Sequence, residues 1–366
     1  MKSVPLVIIG LIAFSVTLAF LILAKGNEPS SSPIQGLQEC NTLAYNGPDK
    51  LSVLFFSDER TAKSYSDYFL ENDFIKRNKD SFNIYYINDP DAQSSCGLYK
   101  GIALLCYSRE LIQKAASCPH AVIVVPTRER DEIRSSSYKN VISLNINTPK
   151  SVLLHEFGHA FANLAEEYIN NQAPPKGSRN CVQSCSEFLS ADGCFEGCSQ
   201  NNLQRSIEDG VMRTLSSEEY GRHNEIIMES LLNNYDPTKI SGFATLEDDC
   251  ANQKHLFLEI EEKDGTINIV SEDLRRGCAD QSIGTRSYSL TKLDNLITEN
   301  SFPDNYFFTD VEGESGMEGE TFYLTENSFL SIPFDNGADN AEFFNPEGES
   351  IGSSPLQETG SILCQI

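Results

Sequence analysis

The sequence predicts an α+β fold in which a mixed sheet backed by helices is followed by an all-β region. Three observations carry this prediction. Short β-branched or aromatic runs alternate with segments of helical spacing over the first 150 residues, and a helix-patterned segment follows the last of these runs directly. From about Asp236 the pattern changes to short alternating runs separated by Gly, Asn, Asp and Pro. With 366 residues and 40 % apolar content the chain can form one or two globular units with sizeable cores.

At the N-terminus, "PLVIIGLIAFSVTLAFLILA" (Pro5–Ala24) holds no charged residue and matches the ~20 apolar residues that a helix needs to cross a bilayer. The run exceeds the usual signal-peptide core of ~7–15 residues, and "LILAKGNE" offers no clear small-x-small cleavage site. An uncleaved anchor over residues 1–25 is therefore expected, with secretion after signal cleavage as the alternative. Lys2 favours a cytoplasmic N-terminus and an extracellular body, although Lys25 on the other flank weakens that vote. A linker follows at 26–48.

The next elements read in order. "KLSVLFFSDE" is a buried strand, "RTAKSYSDYFLENDFIK" a helix, and "FNIYYIND", "HAVIVVPTRE" and "NVISLNI" are further strands. "TPKSVLLHEFGHAFANLA" then has helical spacing to about Phe161, with Thr148 placed as N-cap and Pro149 at the first helical position. Residues 171–202 turn to Gly, Pro, Ser, Asn and Cys, the composition of an irregular, crosslinked insert, centred on 180–199. "SSEEYGRHNEIIMESLLNN" restores a helix, with Ser216 and Glu219 as a capping box. The first globular domain is expected at 49–240. "KHLFLEIEE", "GTINIVSE", "RSYSLTKL", "NYFFTDVEG", "ETFYLTEN" and "FLSIPFDN" predict a second, sandwich-like domain at 245–366.

The formal charge of −25, from 53 acidic and 28 basic residues, repels a phosphate backbone, so nucleic acid is excluded as an expected partner. Eleven cysteines fit an oxidising exterior, and the odd number leaves at least one unpaired within the chain. Cys106, in the apolar run "GIALLCYS", reads as a small buried hydrophobe. Cys181, Cys185, Cys194 and Cys198 are spaced C-x3-C twice; two disulfides are favoured over a structural zinc, with the pairing open. Cys40 reads as a disulfide partner, though a thiolate capping a metal is conceivable. The stretch "DNGADNAEFFNPEGE" has calcium-ligand chemistry, which turn chemistry explains equally well.

Only five histidines occur, and two of them fall four residues apart in "HEFGH". On a helix, positions four apart differ by about 40° in direction, so His155 and His159 project from one face, one turn apart. That arrangement suits two ligands of one zinc ion. Glu156, rotated about 100° from His155, is a candidate general base. A catalytic zinc takes a third protein ligand. Glu166 on a straight helix would stand about 16 Å further along the axis, so the chain must turn back first. Asn163 tolerates the left-handed conformation that ends helices, which would bring Glu166 under the metal, with Glu167 as its rival.

"HEFGHAFANLAEEY" resembles the active-site signature of the IgA-peptidase-like zinc peptidases, a group related to the metzincins, which reads HEFGH, an aromatic, two glycines, then Leu-Ala-Asp-Glu-Tyr. His155, Glu156, Phe157, Gly158, His159, Phe161, Leu164, Ala165, Glu167 and Tyr168 match; Ala162 and Asn163 replace the glycines, and Glu166 replaces the aspartate. The resemblance spans roughly residues 51–232. It implies a metzincin-like sheet with an active-site helix and a methionine turn beneath the metal, for which Met212 after Gly210 is the candidate. Tyr220 and His223 are considered as oxyanion donors, against a plain surface role. The function expected is a membrane-anchored, extracytoplasmic zinc endopeptidase acting on protein or peptide substrates. An inactive cell-surface scaffold is the alternative, and a non-peptidase zinc hydrolase a third.

Overall fold

The apolar runs that the sequence marks as strands build one central sheet, and helices cover its two faces. The computed structural model of the protein describes residues 36–89, 95–237, 250–313, 316–325, 327–335 and 337–356. The elements that lead to the histidine helix are β1 (Asn41–Ala44), β2 (Leu51–Phe56), α1 (Glu59–Glu71), α2 (Asp73–Arg77), β3 (Phe82–Ile87), β4 (Gly97–Tyr99), β5 (Ala103–Leu105), α3 (Arg109–Ala115), β6 (Val122–Thr127), β7 (Ser135–Tyr138), β8 (Val141–Asn145) and α4 (Ser151–Ala162). The insert contributes β9 (Phe195–Cys198) and β10 (Gln200–Arg205), and α5 (Arg222–Asn234) follows.

Strands β3, β2, β6 and β8 are parallel neighbours, with β1 and β7 antiparallel at the flanks. Every residue of β2 is buried, as a central strand covered on both faces requires. Its side chains alternate between two cores. Val53 and Phe55 join α1 and α4, while Leu54 and Phe56 join Leu111 and Ile112 of α3. Asp58 caps α1 by accepting from the Thr61 amide at 3.1 Å, and Ser108 caps α3 by accepting from the Leu111 amide at 3.1 Å.

Two helix starts differ from expectation. Helix α4 begins at Ser151 without a side-chain cap, because the Thr148 hydroxyl donates to the Asn145 carbonyl at 2.6 Å instead of accepting from the helix. Helix α5 begins at Arg222 behind Gly221, whose φ of 80° ends the preceding loop, so Ser216 and Glu219 belong to that loop and form no capping box.

The remaining strands are β11 (Lys254–Lys263), β12 (Thr266–Arg276), β13 (Arg286–Lys292), β14 (Asn295–Phe302), β15 (Tyr306–Gly313), β16 (Gly316–Tyr323), β17 (Ser328–Pro333), β18 (Asn340–Phe344) and β19 (Ser350–Pro355). Sheets β12-β11-β17 and β14-β13-β18-β19 enclose a shared core of Leu256, Leu258, Ile260, Tyr288, Leu290 and Phe343. The antiparallel hairpin β15–β16 departs from both. Strand β15 pairs with β7 in the register Phe308↔Ser137 and Asp310↔Ser135, extending the central sheet to eight strands in the order β1-β3-β2-β6-β8-β7-β15-β16. Strands from the two expected domains thus share one sheet, and the described residues from Leu37 to Leu356 form one compact body.

Five disulfides join Cys40–Cys118, Cys96–Cys106, Cys181–Cys198, Cys185–Cys194 and Cys250–Cys278. Cys106 is therefore half of a crosslink and not a free apolar residue, while Cys40 is a plain disulfide partner. In the calcium-like stretch, Asp335 accepts from the Gly337 amide and Asn345 from the Glu349 amide, both turn-closing bonds. The expected anchor at residues 5–24 lies outside the described residues. Among the described residues no helix is long and apolar enough to cross a membrane.

Phe157, on α4, packs edge-to-face on Phe69 at 4.9 Å and stacks on Phe161 at 5.1 Å, fully buried. Phe157→Ala is expected to cost about 3–5 kcal/mol through lost burial and the cavity left behind. Urea unfolding checks this: the midpoint should fall with the slope unchanged.

Candidate metal centre

Helix α4 aims two imidazoles at one point. Their Nε2 atoms lie 3.0 Å apart, and both side chains are buried. Each ring is held from behind through Nδ1, His155 at 2.7 Å from the Val211 carbonyl and His159 at 2.6 Å from the Leu164 carbonyl. A carbonyl only accepts, so Nδ1 must carry the proton and each neutral ring presents its Nε2 lone pair to the centre.

The third group arrives by the expected turn. Asn163 ends α4 in the left-handed conformation, φ 48° and ψ 37°, with its amide 3.0 Å from the His159 carbonyl. Asn180 then clamps the returning chain, accepting from the Ala165 amide at 2.7 Å and donating to the Ala165 carbonyl at 2.8 Å. The Ser199 hydroxyl donates to the Glu166 carbonyl at 2.8 Å, beside the Cys181–Cys198 disulfide. The crosslinked insert thus fixes the backbone that presents Glu166. Its carboxylate reaches 3.1 Å from His159 Nε2 and 3.4 Å from His155 Nε2. Glu167 turns the other way, accepting from Asn224 at 2.8 Å and Asn180 at 3.2 Å, with its amide on the Met212 carbonyl. It is no part of the cluster.

A fourth group was not foreseen. Asp310, in the middle of β15, places Oδ2 3.4 Å from His155 Nε2 and 3.9 Å from His159 Nε2. Ligand atoms of His155, His159, Glu166 and Asp310 all lie within 4.8 Å of one another. Four ligands at ~2.0 Å around a tetrahedral ion stand about 3.3 Å from each other, and the observed separations bracket that value. The chemistry also fits. No protein hydrogen-bond donor reaches either Glu166 oxygen or Asp310 Oδ2 unless a proton sits on an imidazole, so four acceptors converge in a buried core. A divalent cation satisfies that set. No local motif announces Asp310; its one signal is an acidic residue two positions from Phe308 on the same face of an alternating strand.

Burial opposes charge on His155, yet Asp310 and Glu166 together raise its pKa well above the ordinary imidazole value. Burial likewise pushes Glu166 up, but His159 and His155 outweigh it and hold the carboxyl down at about 2. Glu156, between the histidines in sequence, is fully buried and neither of its oxygens has a hydrogen-bond partner. Burial first, then the Asp310 and Glu166 charges, raise its pKa well above the carboxylate range.

Beneath the cluster, Gly210 starts the turn that carries Met212, accepting from the Arg213 amide at 2.9 Å. Met212 is fully buried against α4, and a Cβ added at Gly158 would stand 2.5 Å from its sulfur, so any larger residue there must displace the methionine side chain. Tyr220 and His223 do not reach the cluster. The Tyr220 hydroxyl donates to the Leu154 carbonyl at 2.5 Å, and His223 bridges the Leu189 amide at 3.2 Å and the Arg179 carbonyl at 2.9 Å. Beside His159 a cavity of about 220 Å³ is lined by Phe161, Leu231, Lys139, Tyr306 and Phe308.

Comparison with protein-family models finds no match, and comparison with curated proteins likewise finds none.

Two outcomes are expected from metal titration followed by calorimetry. His159→Ala and Glu166→Ala should each weaken binding strongly, whereas Glu167→Gln should leave it near the unsubstituted value. Affinity should fall as pH is lowered, because protons compete for the Nε2 lone pairs, and the raised basicity of His155 extends that competition upward towards neutrality.

Proposed function

We propose that the chain is a zinc-dependent endopeptidase whose metal is held by His155, His159 and Glu166, with Glu156 as general base. The observation that carries this reading is the state of Glu156. A site serving only to hold the fold together has no use for a fully buried carboxyl beside the ligands, with both oxygens unpartnered, and such burial costs several kcal/mol. A general base next to an activated water has that use. The donor set of imidazoles and carboxylates is one that suits zinc, and a bound zinc would supply a Lewis acid that lowers the pKa of its water towards ~7 and polarises a carbonyl.

The chain's own residues define the remaining steps. Glu156 takes the proton from the attacking water and returns it to the leaving amine. Val211 and Leu164 hold the two imidazoles by their carbonyls, so neither ring rotates as charge develops. The resemblance of "HEFGHAFANLAEEY" to the IgA-peptidase-like signature supports the same class. Five disulfides favour an oxidising compartment, in keeping with an anchor at residues 5–24 and a body outside the cytoplasm.

Asp310 favours a second reading. A catalytic zinc has three protein ligands and one open position, and structural sites have four. With Asp310 counted, the cluster has four, as a metal-stabilised scaffold would. Glu156→Gln separates the two. It is expected to keep about one bound zinc while abolishing cleavage of a reduced, unfolded protein substrate, tested both in the unsubstituted chain and with Asp310→Ala present. Zinc binding with no cleavage by any form that retains Glu156 favours the scaffold.

A further inference from the structure

We infer that the chain is latent as folded: hairpin β15–β16 acts as an internal plug, with β15 lying along the edge that an extended polypeptide would pair with and Asp310 occupying the coordination position that the catalytic water needs. This rests on the peptidase reading. Four observations point to it.

Asp310 lies 144 residues beyond Glu166, on a strand that is no part of the motif-bearing region. Without β15, strand β7 would be the open edge of the central sheet, with unpaired backbone groups beside the metal ligands. Strand β15 satisfies them as a bound peptide would, antiparallel, from Phe307↔Tyr138 to Asp310↔Ser135. The face that β15 turns to the site seals it. Phe308 stacks flat on the His159 ring, centroids 3.9 Å apart and planes 9° from parallel, and two residues on Asp310 reaches the cluster.

The plug is also fitted to its seat. The Tyr168 hydroxyl donates to Asp310 Oδ1 at 2.5 Å, leaving Oδ2 for the metal position. Directly across the hairpin, Gly319 pairs with Asp310, and a Cβ there would stand 2.1 Å from the Tyr168 oxygen and 2.4 Å from Asp310 Oδ1. Only glycine lets the three residues meet. On the far face, Phe307 anchors the strand among Tyr99 and Tyr138. Opening therefore means separating β15 from β7, which removes the fourth ligand and frees the edge together.

The experiment uses the full chain loaded with cobalt, read by its visible spectrum, with acetohydroxamate as a small probe that needs an open coordination position. In the unsubstituted chain the spectrum is expected to ignore the probe. In Asp310→Ala the spectrum should differ before addition and shift on stoichiometric binding of the probe. Gly319→Val, which keeps the carboxylate but unseats the hairpin, should respond like Asp310→Ala; Asp310→Asn, nearly isosteric, serves if either variant fails to fold. If the open form of the resting chain is about 0.1–10 % populated, cleavage of unfolded protein should rise on the order of 10- to 1,000-fold in the variants. Equal probe binding by the unsubstituted chain and all variants, with unchanged spectra, overturns the plug while leaving the peptidase reading intact. Probe binding confined to the variants but without cleavage upholds the plug and refutes the peptidase.

Discussion

Four electron-rich groups meet in a fully buried place, and the surrounding structure is arranged so that they cannot avoid one another. Two imidazoles are tied back through their protonated nitrogens, one carboxylate is delivered by a left-handed turn, and another by a strand from the far half of the chain. Each alone would be an ordinary buried polar group with some partner. Together the two carboxylates repel, and a cation at the centre of the cluster, or a proton taken up by it, relieves that repulsion. Metal binding and folding stability are for this reason linked: a cation bound only by the assembled site stabilises the folded state by mass action.

The same constraint accounts for features that look unrelated. Glycine at 158 lets the helix bearing the histidines rest directly on the Met212 side chain, next to the Val211 carbonyl that orients His155. The cysteine-rich insert contributes no group to the cluster, yet Asn180 and Ser199 at its two ends hold Ala165 and Glu166 in place. Its nested disulfides limit how far those two ends can drift apart when the loop breathes. The loop is thus part of the ligand support, positioned by backbone contacts with no ligand of its own.

How much of this was legible in the sequence depended on the range of the interaction. His155, Glu156, His159 and the turn at Asn163 are local, governed by helix geometry and one residue's tolerance of positive φ, and the structure brings the two histidines and Glu166 together as that spacing and turn imply. Choosing Glu166 over Glu167 required more than spacing. The decision is made by Asn180 and Asn224, which claim Glu167 from other elements. Asp310 was out of reach, since nothing in "NYFFTDVEG" distinguishes a ligand from any acidic residue on a strand until the pairing of β15 with β7 is known. The same long-range pairing joined the two regions that composition had separated near residue 245. Thr148 and Ser216 failed as caps because their hydroxyls had other bonds to make, Thr148 with Asn145 and Ser216 with Thr214.

Two departures from the resembling signature, Ala162 with Asn163 for the glycine pair and Glu166 for aspartate, gave the sequence grounds for suspecting a decayed site. The geometry weakens that suspicion. Ala162 is still helical and needs no special backbone, so only one position demands positive φ. There asparagine pays roughly the 1–2 kcal/mol of left-handed strain, partly offset by the bond its side chain donates to the Lys176 carbonyl at 2.9 Å. The longer Glu166 still comes as near to both imidazoles as tetrahedral ligands require. Decay relaxes constraints, and here they have been kept: Gly158 over the methionine, Glu156 buried without a partner, and Gly319 clearing room for Tyr168 on Asp310. A carboxyl brought to these imidazoles from 144 residues away serves a restrained peptidase as a plug and a metal-stabilised scaffold as a fourth ligand, so what speaks against decay is Glu156 and the turn at Asn163, not Asp310.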